Sequence, residues 1–131
     1  MPYDIYAEKI ILYYEHPHNK GVLKDADAYF KEYNPICGDE INIYLKISKG
    51  KIKDAKFAGK GCAISTAAAS LITDYIKDKK IKEIKTFDKD LVIKLLSIDP
   101  GPVRIKCATL SLRAIKEAIE KYENKAIRKK S

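Results

Sequence analysis

Three cysteines, Cys37, Cys62 and Cys107, are the residues of this 131-residue chain best suited to chemistry. Each lies where a regular element is expected to begin. Cys37 falls in Pro35-Ile36-Cys37-Gly38-Asp39, Cys62 follows Gly59-Lys60-Gly61, and Cys107 follows Pro102-Val103-Arg104-Ile105-Lys106. None belongs to an apolar helical stripe, the usual place for a cysteine that packs as a small hydrophobe. A thiol at a helix N-terminus meets unpaired N–H groups and the positive end of the helix dipole, and both favour the thiolate. Cys62 and Cys107 are expected at such positions, with Lys60 and Lys106 adding positive charge. The thiolate is the form that ligates metal and attacks sulfur. Asp39 stands one glycine beyond Cys37, and in extended backbone residues i and i+2 point the same way. Three thiolates and one carboxylate suit a four-coordinate zinc site or an iron–sulfur cluster equally. The spacing contains no CxxC pair, so unrelated cysteines and a plain strand-edge aspartate stay open as the alternative. His16 and His18, beside Pro17, read as exposed loop histidines.

The elements that must carry these residues follow from periodicity. Tyr3, Tyr6, Ile10 and Tyr13 share one helical face, so a helix is expected over 3–15, ended by His16-Pro17-His18-Asn19-Lys20-Gly21. A first strand is expected within 25–34. Residues 40–48 alternate, with Ile41, Ile43, Leu45 and Ile47 on one side, which marks a strand with one buried face. Lys49-Gly50 turns it into a second arm over 51–58. The period then becomes helical. Ala67, Ala68, Leu71, Ile72, Tyr75 and Ile76 form a stripe, with Ser65 or Thr66 as the expected N-cap. Asp88 is placed to cap a shorter helix bearing Leu91, Val92, Leu95 and Leu96, and Asp99-Pro100-Gly101-Pro102 to stop it. A last helix is expected to carry Ala108, Leu112, Ile115, Ile119 and Tyr122. The fold class is α+β: a three-stranded antiparallel sheet with helices packed on one face.

Composition narrows the setting. Hydrophobic residues are 46% and charged residues 34%, values of an ordinary globular domain. Residues 1–131 read as one domain, with a basic, frayed C-terminal tail from about 123. Residues 121–131 hold half of the net charge of +8, with five basic residues against Glu123. Positive charge gathered in a tail, without a recognised binding motif, makes nucleic acid a poor partner. An odd number of widely spaced cysteines is a poor disulfide framework, and no secretory leader or apolar span is visible, so a cytoplasmic protein without a membrane is expected. No GxGxxG, P-loop or Ser/His/Asp arrangement is present.

Taken together, the three cysteine segments are far more specific than their spacing. Asn34-Pro35-Ile36-Cys37-Gly38-Asp39, then Gly59-Lys60-Gly61-Cys62-Ala63-Ile64-Ser65 with Ala69-Ser70, then Pro102-Val103-Arg104-Ile105-Lys106-Cys107-Ala108-Thr109-Leu110 occur in order. In these the chain resembles the IscU/SufU/NifU N-terminal family of iron–sulfur cluster assembly scaffolds, over roughly residues 3–122. The resemblance implies a scaffold rather than an enzyme. It implies sulfur received from a pyridoxal-phosphate cysteine desulfurase, a labile [2Fe–2S] cluster, and apo iron–sulfur proteins as recipients. It implies Cys37, Asp39, Cys62 and Cys107 as ligands, with Zn2+ as another occupant of the same site, and allows a homo-oligomer. Lys106 stands where IscU proper has histidine, and Arg104-Ile105-Lys106-Cys107 is similar to the SufU branch, which implies a zinc-dependent sulfurtransferase as the alternative function. The SufU insertion between the second and third cysteines has no room here. Pro100-Gly101-Pro102-Val103-Arg104 departs from the Leu-Pro-Pro-Val-Lys that an Hsp70 chaperone reads in IscU. Arg104, Lys106 and Lys60 are candidates for pairing with Asp39 or a thiolate, with surface charge as their plain alternative.

Overall fold

The computed structural model describes residues 2–35 and 38–130, with side chains described over 8–35 and 38–125. Helix α1 (Pro2–Glu15) precedes strands β1 (Ala28–Asn34), β2 (Asp39–Ser48) and β3 (Lys51–Lys60). Helices α2 (Ala63–Ile76), α3 (Ile81–Ile84), α4 (Lys89–Leu96), α5 (Gly101–Ala108) and α6 (Leu110–Lys130) follow. The strands form one antiparallel sheet in the order β1-β2-β3. This is the α+β architecture expected from the sequence.

Strand parity decides which side of the sheet is dry. On β2, Ile41, Ile43, Leu45 and Ile47 are buried, and the rungs Phe30–Ile43–Phe57 and Ala28–Leu45–Ala55 face the helices with them. Helix α6 lies over β1 and β2, and α2 over β3. The buried face of α6 carries Leu112, Ala114, Ile115, Ala118 and Ile119, the spacing of one helical stripe. Helix α2 also touches α1, α4, α5 and α6. That is why it is buried over Ile64–Ser70 as well as at Ile72, Thr73 and Ile76. Each fully buried isoleucine contributes about 1.5–3 kcal/mol of transfer free energy, so the sheet and α2 form a stiff platform.

Several boundaries differ from expectation. Lys49 (φ 53°) and Gly50 (φ 73°) make the tight β2–β3 turn as expected, and Asp88 caps α4. The N-cap of α2, however, is Cys62 and not Ser65 or Thr66. Helix α4 stops at a left-handed Ser97 (φ 66°) before Asp99 is reached. Pro100-Gly101-Pro102 does not break a helix but opens α5. Proline lacks an N–H, which a first turn does not need, and its fixed φ suits helix entry. Ala108 therefore ends α5 rather than belonging to the last helix. The short α3 is also unannounced, having no long apolar period.

Candidate metal centre

The site lies at the end of the sheet where β1 and β2 meet. Asn34 and Asp39 form the last rung of that pair, and the Gly38 N–H donates to the Asn34 carbonyl at 2.8 Å. Gly38 adopts φ +74°, a left-handed conformation that L side chains resist. Gly38 itself is thus not in extended conformation. Cys37 and Ile36 themselves lie outside the described residues.

Asp39 has the parity of Ile41 to Ile47, so it points to the helix side and is only 4% exposed. Gly59 lets β3 run close beside β2 near this end of the sheet. A Cβ there would meet the Glu40 carbonyl oxygen at 2.2 Å. The chain then turns into α2, whose N-cap is Cys62. The Cys62 N–H donates to Asp39 Oδ1 at 3.1 Å, and its Sγ accepts from the Ser65 N–H at 3.4 Å. Gly61 leaves room for Ser65, since a Cβ at Gly61 would sit 2.2 Å from Ser65 Oγ. Cys62 is exposed to solvent.

Cys107 arrives from the third direction. It is 3% exposed and sits in the last turn of α5, not at the start of a helix. A helix C-terminus is the negative end of the dipole, so α5 does not favour the Cys107 thiolate in the way a helix start would. Asn34 Nδ2 donates to its Sγ at 3.8 Å. Sequence reading missed Asn34 as part of this cluster. The signal was its parity with Ala28 and Phe30, which sends it to the buried side.

The ligand atoms of Asp39, Cys62 and Cys107 all lie within 4.8 Å of one another. A tetrahedral centre with bonds of about 2.3 Å separates its ligand atoms by roughly 3.8 Å, so small side-chain adjustments suffice. Asp39 Oδ2 is buried and accepts no hydrogen bond among the described residues. Such an atom costs about 1–3 kcal/mol, and a cation would relieve it. Two soft sulfurs and a hard oxygen on three elements are a donor set that zinc and iron both accept.

Lys60, Arg104 and Lys106 are not gathered in the same way. All three are exposed, and Asp39 takes part in no ion pair among the described residues. His16 and His18 are exposed as expected. His18 nonetheless donates from Nδ1 to Asp74 Oδ2 at 2.6 Å. No described helix is long and apolar enough to cross a membrane.

Comparison with known proteins bears on the family and the fold. Residues 5–129 match the family model described as the NifU-like N terminal domain. The zinc-dependent sulfurtransferase SufU of Bacillus subtilis is 37% identical, with 91% of this chain and 92% of that protein covered. The iron–sulfur cluster assembly scaffold protein IscU of Thermotoga maritima is also 37% identical, with 89% and 94% covered. The crystal structure of the N-terminal NifU-like protein of Brucella abortus superposes with a TM-score of 0.76. It is 21% identical, with 93% of this chain and 96% of that chain covered, and supports the fold.

Proposed function

Because the chain belongs to the family of NifU-like N-terminal domains, we propose that it is an iron–sulfur cluster assembly scaffold. In this reading it accepts sulfur from a cysteine desulfurase, combines it with iron, and holds a labile [2Fe–2S] cargo on Cys37, Asp39, Cys62 and Cys107 before passing it to apo-proteins. The observation that carries the proposal is the meeting of Asp39, Cys62 and Cys107 ligand atoms within 4.8 Å, beside a buried carboxylate oxygen.

The residue types suit a carrier. Thiolates bind iron firmly, and a carboxylate is harder and can be protonated, so Asp39 keeps the site able to release its cargo. Sulfur arrives by exchange. A thiolate of this chain attacks the terminal sulfur of the desulfurase persulfide, the S–S bond breaks, and the electron pair leaves on the donor's thiolate. A persulfide forms on this chain with no net oxidation, and an external two-electron reductant, a thiol or an electron-transfer protein, then releases the outer sulfur to iron as sulfide and restores the thiolate. Lys60, Arg104 and Lys106 flank the thiols in sequence, and as exposed cations they favour approach of an anionic sulfur donor.

A second reading, a zinc-dependent sulfurtransferase, is favoured by the near full-length similarity to SufU and by Arg104-Ile105-Lys106-Cys107. Anaerobic reconstitution with iron, cysteine and a desulfurase separates the two. The scaffold reading expects a reddish-brown protein with about two irons and two sulfides per cluster. A colourless protein that keeps one zinc and takes no cluster would establish the second reading instead.

A further inference from the structure

We propose that Asn34 is a positioning residue for Cys107: its side-chain amide donates to the Cys107 sulfur and sets both the rotamer and the electron density of that thiolate as a metal ligand. The proposal rests on the reading of Cys107 as a ligand.

The two described cysteines obtain an N–H donor in different ways. Cys62 caps α2, and its sulfur accepts from the Ser65 backbone N–H at 3.4 Å. That donor comes with any helix start. Cys107 lies in the last turn of α5, where the backbone presents carbonyl oxygens rather than N–H groups. Its sulfur instead accepts from Asn34 Nδ2 at 3.8 Å, a contact across 73 residues of sequence.

The location of Asn34 explains how it reaches. It closes β1, faces the helix side of the sheet, and is only 4% exposed. A buried amide is costly unless it is hydrogen-bonded. Its rung partner, Asp39, holds the other cysteine through the Cys62 N–H at 3.1 Å. One rung of the sheet therefore ties both cysteine-bearing helices to the hairpin, Asn34 by donating to a sulfur and Asp39 by accepting from a backbone. Donation to a bound thiolate withdraws charge from sulfur, which tunes the metal without adding a ligand.

The test uses the full chain with Asn34→Ala and Asn34→Asp, the second keeping the side-chain volume while removing the donor. Cobalt(II) is the metal probe. Both variants are expected to retain the tetrahedral cobalt bands while the sulfur-to-cobalt charge-transfer band moves to lower energy. A merely structural role would not move that band. In metal-free protein at neutral pH, peptide mapping after limited alkylation is expected to show Cys107 reacting about two- to fivefold more slowly relative to Cys62, because its thiolate loses one hydrogen-bond donor. An unmoved band or an unchanged alkylation ratio, in either variant with a native circular dichroism spectrum, overturns the proposal. If the wild-type chain gives no cobalt–thiolate band, the metal-site reading itself fails, and the alkylation ratio alone decides the Asn34 contact.

Discussion

Two polar clusters lean on α2, and only one of them is closed. Midway along the helix, the 16–21 loop is fastened by groups that satisfy one another. The His18 N–H donates to buried Ser70 Oγ at 2.7 Å, and the Asn19 amide donates to Thr73 Oγ1 at 3.0 Å and Asp74 Oδ1 at 2.7 Å. Asn19 Oδ1 in turn accepts from Lys77 Nζ, and His18 Nδ1 from its other side reaches Asp74 Oδ2. At the N-terminus of the same helix, Asp39 spends one oxygen on the Cys62 N–H and leaves the other buried without a partner among the described residues. A closed network rigidifies and asks for nothing further. An open one stores a cost that a ligand can remove. The difference supports the proposal that the loop cluster serves architecture and the sheet-end cluster binds a ligand.

The largest expected effect follows from that split. Cys62→Ala and Cys107→Ala should each weaken zinc retention by at least about a hundredfold, given the large free energy of thiolate-rich zinc sites. Asp39→Ala should weaken zinc retention less, and should slow delivery of a reconstituted cluster to an apo-ferredoxin, because the labile ligand is gone. Competition with a chromogenic chelator measures the first effect, and the recipient's visible spectrum measures the second. Unchanged or faster delivery from Asp39→Ala would reject the role of the carboxylate in release. Zinc retention equal to wild type in both cysteine variants would erase the contrast between the clusters.

A smaller effect of opposite kind is expected at the closed cluster. Asn19→Ala removes the amide and also places alanine at φ 64°, so it should lower folding stability by about 1–2 kcal/mol. Zinc retention should stay at the wild-type value. Denaturant unfolding of the metal-free chain reads the first quantity and chelator competition the second. A metal defect in Asn19→Ala would mean that the loop and the sheet end act as one unit.

How much of this was legible depends on where period ends and chain turns begin. The alternation Ile41-x-Ile43-x-Leu45-x-Ile47 announces β2 and, carried back one step, puts Asp39 on the buried side. The stripe of Leu112, Ile115 and Ile119 announces α6. Asn34 was hidden because its meaning comes from the β1–β2 register, and a rung is a tertiary fact. Pro100-Gly101-Pro102 misled because the same residues that end one helix can begin another. Cys107 moved from an expected helix start to a helix end for that reason, and with it went the dipole argument. The motif order was enough for the family resemblance, but the partners of each sulfur required coordinates.

The smallest effect tests whether the two sides of the sheet are independent. Glu40 is the immediate neighbour of Asp39 but has the opposite parity, and it pairs on the outer side with Lys31 at 2.5 Å. The hydrogen bond to Glu40, followed by the charge of its carboxylate, raises the Lys31 pKa above its ordinary 10.5. A raised cation pKa contributes stability that is fully present below the unfolded value and is lost as pH rises through the folded one. Lys31→Gln should therefore lower Tm slightly at neutral pH, less so in high salt because the pair is exposed. The gap from wild type should close only as pH passes above 10.5 and through the raised value. Chelator competition should find zinc retention untouched, since parity sends Glu40 away from the thiols. A change in zinc retention in Lys31→Gln would show that the outer pair steers Asp39 through the shared strand. The open cluster would then extend through the sheet to its outer face.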